Sequence, residues 1–197
     1  FPAWIMQGYL TIVAELIEKI GTKKPTHVVL QAGVGSFAGA MASMLKQIYG
    51  EDLKIIVVEP VRADCLYQSA LAGDGHPHAT SGDLSTMMAG LSCGEPNPIG
   101  WDILKNVVDS FVSCSDEIAA RGMRILGNPI SGDAKITAGE SGAVPVGLLY
   151  EIMKNDQYQE LRDSVKLDES AKVLIINTEG ATDPGNYKKV MRGGTQK

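Results

Sequence analysis

Thr26-His27-Val28-Val29-Leu30-Gln31-Ala32-Gly33-Val34-Gly35-Ser36-Phe37-Ala38-Gly39 is the stretch on which the reading of this chain turns. A β-rich apolar run, Val28 to Leu30, breaks into three glycines and continues as an Ala/Met/Leu-rich helical segment to Tyr49. In a strand, glycine turn and helix, backbone N–H groups and a helix N-terminus converge on an anion. Glycine belongs there because a side chain would hold a phosphate off the backbone, and because some turn positions need a positive φ. The stretch therefore reads as a phosphate cradle, with its ligand still to be identified.

Outward from the cradle, the pattern alternates strand and helix. Upstream, apolar residues Ile5, Tyr9, Ile12, Val13, Leu16, Ile17 and Ile20 recur at helical spacing over 4–20, and Gly21 and Pro25 end that helix. Downstream, 54–59 is nearly all apolar, as a parallel strand covered on both faces should be. Residues 26–59 thus predict a βαβ unit. Helices are expected at 64–71, 84–91, 99–108, 116–126 (with Ser115 as its N-cap) and 143–153, and strands at 110–114 and 172–177. The interval 72–98 is rich in glycine and proline, and an insert of that length points to function. Together these elements predict an α/β fold, an open and mostly parallel sheet with helices on both faces. Ligands of such sheets sit at the carboxyl ends of strands, so the site is expected between 32–36 and 178–183.

Bulk properties narrow the function. The chain has 197 residues, 22 glycines and a net charge of −5, with no basic block to attract nucleic acid or an anionic membrane surface. No apolar run approaches the roughly 20 residues that span a bilayer. Cys65, Cys93 and Cys114 form no CxxC pair, which fits reduced thiols in the cytoplasm, although a Cys65–Cys93 link is conceivable. The first residue is Phe1, so a natural start is expected to lie upstream.

Several chemistries compete for the cradle. Gly33, Gly35 and Gly39 are spaced G-x-G-x-x-x-G, which is not the dinucleotide fingerprint. Glu59 nonetheless ends the next strand, where a ribose-binding acid would stand, and keeps a Rossmann-type nicotinamide oxidoreductase open as an alternative. No Walker lysine follows the glycines. His76-Pro77-His78 offers two imidazoles without a third ligand, and reads as a turn with surface histidines, so no metal is expected. Gly139-Glu140-Ser141-Gly142-Ala143 is like a nucleophile elbow, but it lacks a preceding strand and reads better as a helix start.

Five segments, taken in order, carry a resemblance to a family. They are Trp4-Ile5-Met6-Gln7-Gly8-Tyr9, Gln31 to Ser36, Met88-Ala89-Gly90-Leu91-Ser92-Cys93-Gly94-Glu95-Pro96-Asn97, Gly139 to Ala143, and Asn177-Thr178-Glu179-Gly180-Ala181-Thr182-Asp183. The chain resembles the diaminopropionate ammonia-lyases, pyridoxal-phosphate enzymes of the tryptophan synthase β type (fold type II). The resemblance covers almost the whole chain and implies α,β-elimination of 2,3-diaminopropionate to pyruvate and ammonia, with pyridoxal 5′-phosphate as cofactor, a small amino acid as substrate and a homodimer as assembly. It places the cofactor phosphate on Gly33, Val34, Gly35, Ser36 and Gly39. Cys93 and Gly94 pass beside the ring with Glu140 nearby, and Thr178 stands at the pyridine nitrogen.

The family's Schiff-base lysine and catalytic base belong to a part N-terminal to everything here, and Lys135 reads as solvent-facing. The expectation is that residues 1–197 are a C-terminal portion, mostly the large cofactor-binding domain, with no catalytic residue of their own and no activity alone. A non-catalytic cofactor-binding module is the remaining alternative.

Overall fold

The computed structural model describes residues 2–193. Its strands are β1 (His27–Gln31), β2 (Lys54–Pro60), β3 (Ser110–Cys114) and β4 (Val173–Ile175), and its helices include α1 (Pro2–Ile20), α2 (Ser36–Tyr49), α3 (Cys65–Ala72) and α4 (Pro98–Val107). After β3 come α5 (Asp116–Gly127), α6 (Glu140–Lys154), α7 (Gln159–Val165) and, beyond β4, α8 (Pro184–Met191). The four strands pair in parallel in the order β3-β2-β1-β4, with His27 opposite Lys54 and Val173.

Period-two alternation splits the strand side chains between two cores. Val28, Leu30, Ile55 and Val57 face one core with Met41, Leu45, Trp101 and Leu104, which come from α2 and α4. Val29, Ile56 and Val58 face the other with Met123, Leu148 and Ile152, from α5 and α6. Every residue of β1 is buried, as expected for a central strand covered on both faces. Each fully buried Leu or Ile contributes about 1.5–3 kcal/mol, so both faces are needed to hold the layers together.

The chain leaves β1 in one direction, through α2 to β2 and on to β3. It then crosses by α5, α6 and α7 to the opposite layer and returns on the other side of β1, as β4. The strand order reverses between β1 and β4, and a crevice opens at their carboxyl ends.

Three local expectations change. The segment 84–91 is not a helix: only Ala89–Leu91 makes a 3₁₀ turn. The Asp116 carboxylate takes the Thr86 hydroxyl and the Met87 N–H, and Ser92 Oγ donates to the Leu84 carbonyl, so tertiary bonds replace the intrahelical ones. Helix α6 begins at Glu140, three residues earlier than expected, because the loop after β4 sits on its N-terminus. Ser115 does occupy the N-cap of α5, but its side chain makes no capping bond. Of the apolar stripe on α1, Val13 is fully buried, whereas Ile5 remains 53% and Ile17 38% exposed. Among the described residues, no helix is long and apolar enough to cross a membrane.

Candidate active site

The crevice is a cleft of about 620 Å³ lined by the end of β1, residues 33–38, Gly90, Leu91, Cys93, Ser141 and residues 176–179. Its floor is the glycine turn. Gly35 has φ +89°, a left-handed conformation, and a methyl group there would lie 3.1 Å from Leu104 and 3.2 Å from Leu66. The first helical bond of α2 runs from the Gly39 N–H to the Gly35 carbonyl at 2.8 Å. The N–H groups of Ser36, Phe37 and Ala38 precede it, and no side chain caps them. Uncapped N–H groups at a helix N-terminus are the donors an anion can use, and a phosphate placed there would gain on the order of 1 kcal/mol from the helix field, beyond its hydrogen bonds. Gly33 leaves room for the 90–93 segment to close on the turn, since a methyl group there would stand 3.1 Å from Cys93 Sγ.

The loop is held from α4. The Asn97 N–H donates to the Val34 carbonyl at 2.7 Å, and Asn97 Nδ2 donates to Ser36 Oγ at 2.9 Å. With that lone pair occupied, the Ser36 hydroxyl hydrogen is left for an acceptor in the cleft.

The opposite wall comes from β4. Gln31 Nε2 donates to the Ile176 carbonyl at 3.0 Å and to Thr178 Oγ1 at 2.7 Å. Glu179 is the one charged side chain among the lining residues, and its carboxylate is turned away: Oε2 accepts the Ser141 N–H and Oε1 the Thr182 hydroxyl. This explains Gly139 and Gly142, where an added methyl group would run into Gly180 and Asn177. It also retires the nucleophile elbow, because Ser141 is a residue of the first turn of α6. His27, at the amino end of β1, hydrogen-bonds Val165, and His78 pairs with Asp74, so neither is a base for that serine.

Of the residues expected to bind the cofactor, Gly33, Val34, Gly35, Ser36, Cys93 and Thr178 line one cleft, and Gly39, Gly94 and Glu140 do not. Gly39 is a packing glycine. A methyl group on it would lie 3.3 Å from the Gly100 Cα, and its absence lets α2 and α4 meet. Gly94 accepts the Thr80 N–H and braces the 72–98 insert. Glu140 is buried and bonds Asn186 of α8. Sequence reasoning missed Gln31 and Ser141, which bring two buried polar atoms, Gln31 Oε1 and Ser141 Oγ, without partners to the cleft. A glutamine ending an apolar strand was the available signal for the first. Cys65 and Cys93 are both free thiols, and Lys135 is exposed.

The nicotinamide alternative loses its acid. Glu59 is fully buried, with Oε1 accepting the Leu66 N–H at 3.0 Å and Oε2 the Tyr67 N–H at 2.7 Å. Burial pushes its carboxyl up to about 8, and both oxygens are spent on anchoring α3.

An uncapped glycine turn at a topological switch point, faced by a hydroxyl-bearing loop, is the arrangement in which α/β proteins of the phosphate-binding class receive their ligands. The chain belongs to the pyridoxal-phosphate dependent enzyme family, which it matches over residues 2–179. It is similar to the diaminopropionate ammonia-lyase of Salmonella typhimurium (50% identity over 98% of this chain and 49% of that one). The Escherichia coli K12 enzyme of the same name is 47% identical over 98% and 49%. Among solved structures, Escherichia coli diaminopropionate ammonia-lyase with an aminoacrylate–pyridoxal phosphate azomethine intermediate superposes with a TM-score of 0.87, at 47% identity over 96% of this chain and 48% of that one. Its complex with D-serine gives a TM-score of 0.84 at 44% identity, over 96% and 47%. This chain thus spans about half the length of the relatives it matches.

Proposed function

We propose that the cleft binds pyridoxal 5′-phosphate and that the complete protein eliminates the β-amino group of 2,3-diaminopropionate as ammonia, the remaining enamine taking up water to give pyruvate and a second ammonia. The observation that carries this reading is the convergence of the uncapped Gly33–Ser36 turn and the Thr178 hydroxyl on one cleft. The fit is chemical as well as steric. A phosphate dianion matches a wall of N–H donors plus the Ser36 hydroxyl, and the buried partnerless atoms Gln31 Oε1 and Ser141 Oγ call for a polar occupant. When bound, pyridoxal phosphate supplies the electron sink that lets an α-proton and a β-amino group depart.

The residues of this chain bind and orient. Ser36, Phe37 and Ala38 would hold the phosphate end, Gly33 with Cys93 sets the width of the cleft, and Thr178 would stand at the pyridine nitrogen. Thr178 is a neutral hydroxyl, so it leaves that nitrogen a milder acceptor than an aspartate would, which favours expulsion of a β leaving group. The lining contains no lysine. On this reading the Schiff-base lysine and the catalytic base come from an N-terminal part, residues 1–197 are mostly the large cofactor-binding domain, and the cytoplasmic enzyme works as a homodimer.

The test is a borohydride-reduced peptide map of the protein as isolated from its source. A pyridoxyl-lysine on a peptide outside 1–197 is the expected result, and a native polypeptide without any pyridoxyl group overturns the reading.

A further inference from the structure

We propose that Asn97 is a positioning residue for the cofactor phosphate: from behind the glycine turn, its carboxamide holds the Ser36 hydroxyl in place at the anion site and off its own helix. The inference rests on the cofactor reading above and goes beyond it. Two motifs that the cleft lining leaves unexplained, the start of α1 and the end of the 88–97 run, meet at one buried point behind the turn. There Asn97 Nδ2 donates to Met6 Sδ at 3.5 Å.

The orientation of the Asn97 side chain is fixed by chemistry. The atom 3.1 Å from the Ile99 N–H must be the oxygen, because a backbone amide only donates. Nδ2 therefore faces Ser36 Oγ, at 2.9 Å, and its second hydrogen goes to Met6. Every polar atom of the buried carboxamide is used, and the Asn97 N–H adds a bond to the Val34 carbonyl at 2.7 Å. The helix it caps, α4, lies flush against the turn: a methyl group on Gly100 would stand 2.8 Å from the Gly35 carbonyl oxygen. Asn97 thus ties the turn down on both sides of Gly35.

This limits what Ser36 can do. A serine in the first turn of a helix commonly accepts from backbone N–H groups of that turn, which here are the donors a phosphate needs. Among the described residues, Ser36 Oγ bonds Asn97 instead, and the N–H groups of Ser36, Phe37 and Ala38 stay free of it. A phosphate dianion accepts and cannot donate, so beside it the hydroxyl turns its single hydrogen to the anion while a lone pair stays on Asn97. The lining residues include no Lys, Arg or His, so the placement of neutral donors carries the phosphate's affinity.

The experiment titrates the full-length protein, stripped of cofactor, with pyridoxal phosphate and with pyridoxal, which lacks the phosphate. It compares wild type with Asn97→Ser, Asn97→Asp, Ser36→Ala and the double variant of Asn97→Ser with Ser36→Ala. A serine still caps α4 but is too short to reach Ser36, so it separates the two tasks of Asn97. Asn97→Ser and Ser36→Ala are each expected to weaken pyridoxal phosphate roughly tenfold and to leave pyridoxal unchanged. The double variant should be no weaker than Ser36→Ala. Asn97→Asp keeps the cap and the reach, but it competes for the single Ser36 hydrogen and sets a negative charge behind the phosphate. It should lose more than Asn97→Ser.

Equal losses of both ligands would make Asn97 a residue of folding only, and additive losses in the double variant would separate it from Ser36; either overturns the proposal. So does an unchanged pyridoxal phosphate affinity in Asn97→Ser, or in Ser36→Ala, which leaves the α4 cap untouched. A wild-type protein that takes pyridoxal as tightly as pyridoxal phosphate brings down the phosphate reading of the turn instead.

Discussion

At the glycine turn, two neighbouring residues do different work. Gly35 needs its glycine for the backbone, since φ is +89° and both Leu104 and Leu66 crowd the place of a side chain. Gly35→Ala is therefore expected to destabilise the fold by about 1–3 kcal/mol, read as a lowered denaturant midpoint of the full-length protein. At Gly33 a methyl group would meet one atom first, Cys93 Sγ at 3.1 Å. We expect Gly33→Ala to fold with a near-normal midpoint and to lose cofactor affinity roughly tenfold, a difference of about 1.4 kcal/mol. Cys93→Ala in the same chain should restore much of that affinity, because it removes the atom in the way. Fluorescence titration with pyridoxal phosphate compares the three proteins. Equal affinities would show that the turn is not the phosphate site.

Between elements, close approach and buried polar hubs decide what periodicity could not. Helices α5 and α6 touch through Gly122 and Gly147, where an added methyl group would collide with the Ala143 and Ile118 carbonyls respectively. Gly147→Ala is expected to destabilise the protein by about 3 kcal/mol or more, since backbone cannot yield as a side-chain tip can. A melting temperature unchanged from wild type would show that the helices have room to part. Asp116 is the other hub. Its bonds to Thr86 and Met87 turn a helix-like stretch, 84–91, into a loop that delivers Gly90, Leu91 and Cys93 to the cleft. Met87, Met88 and Leu91 do face a core, as apolar residues at helical spacing should, but that spacing carried no information about the carboxylate lying 30 residues ahead.

For the assembled fold, Glu59 ties stability to pH. Its carboxyl rises from an ordinary 4.5 to about 8 because burial disfavours the charge, opposed by the Leu66 and Tyr67 N–H groups. The folded state therefore holds a proton that the unfolded chain has released. The stability this group contributes is fully present below 4.5 and is lost as pH rises through about 8, at roughly 1.4 kcal/mol per pH unit. Glu59→Gln should flatten that slope. It should also cost about 1–3 kcal/mol at low pH, because an amide offers one oxygen to two N–H donors. Melting curves of both proteins across that interval decide, and parallel slopes would exclude Glu59 as the source. A further expectation concerns the chain by itself: residues 1–197 with pyridoxal phosphate and 2,3-diaminopropionate should release no pyruvate in a coupled dehydrogenase assay. Sustained turnover would place the missing amine within these residues.

The strand, turn and helix of 26–49, the parallel sheet and the location of the cleft were all determined by the linear sequence. Their causes are local: apolar runs long enough for buried strands, and glycines where backbone must turn or come close. The site was expected between the ends of the first and last strands, and the order β3-β2-β1-β4 brings those two ends side by side at the switch point. The tertiary structure decided which polar residues serve the site. Gly39, Gly94 and Glu140 lie in motifs that also carry lining residues, yet they went to packing and bracing. Glu59 went to anchoring α3, and Gln31 emerged from a buried strand as the partner of Thr178. A motif records that residues are near in the chain, whereas a hydrogen bond between residues 31 and 178 exists only once two distant strands have paired.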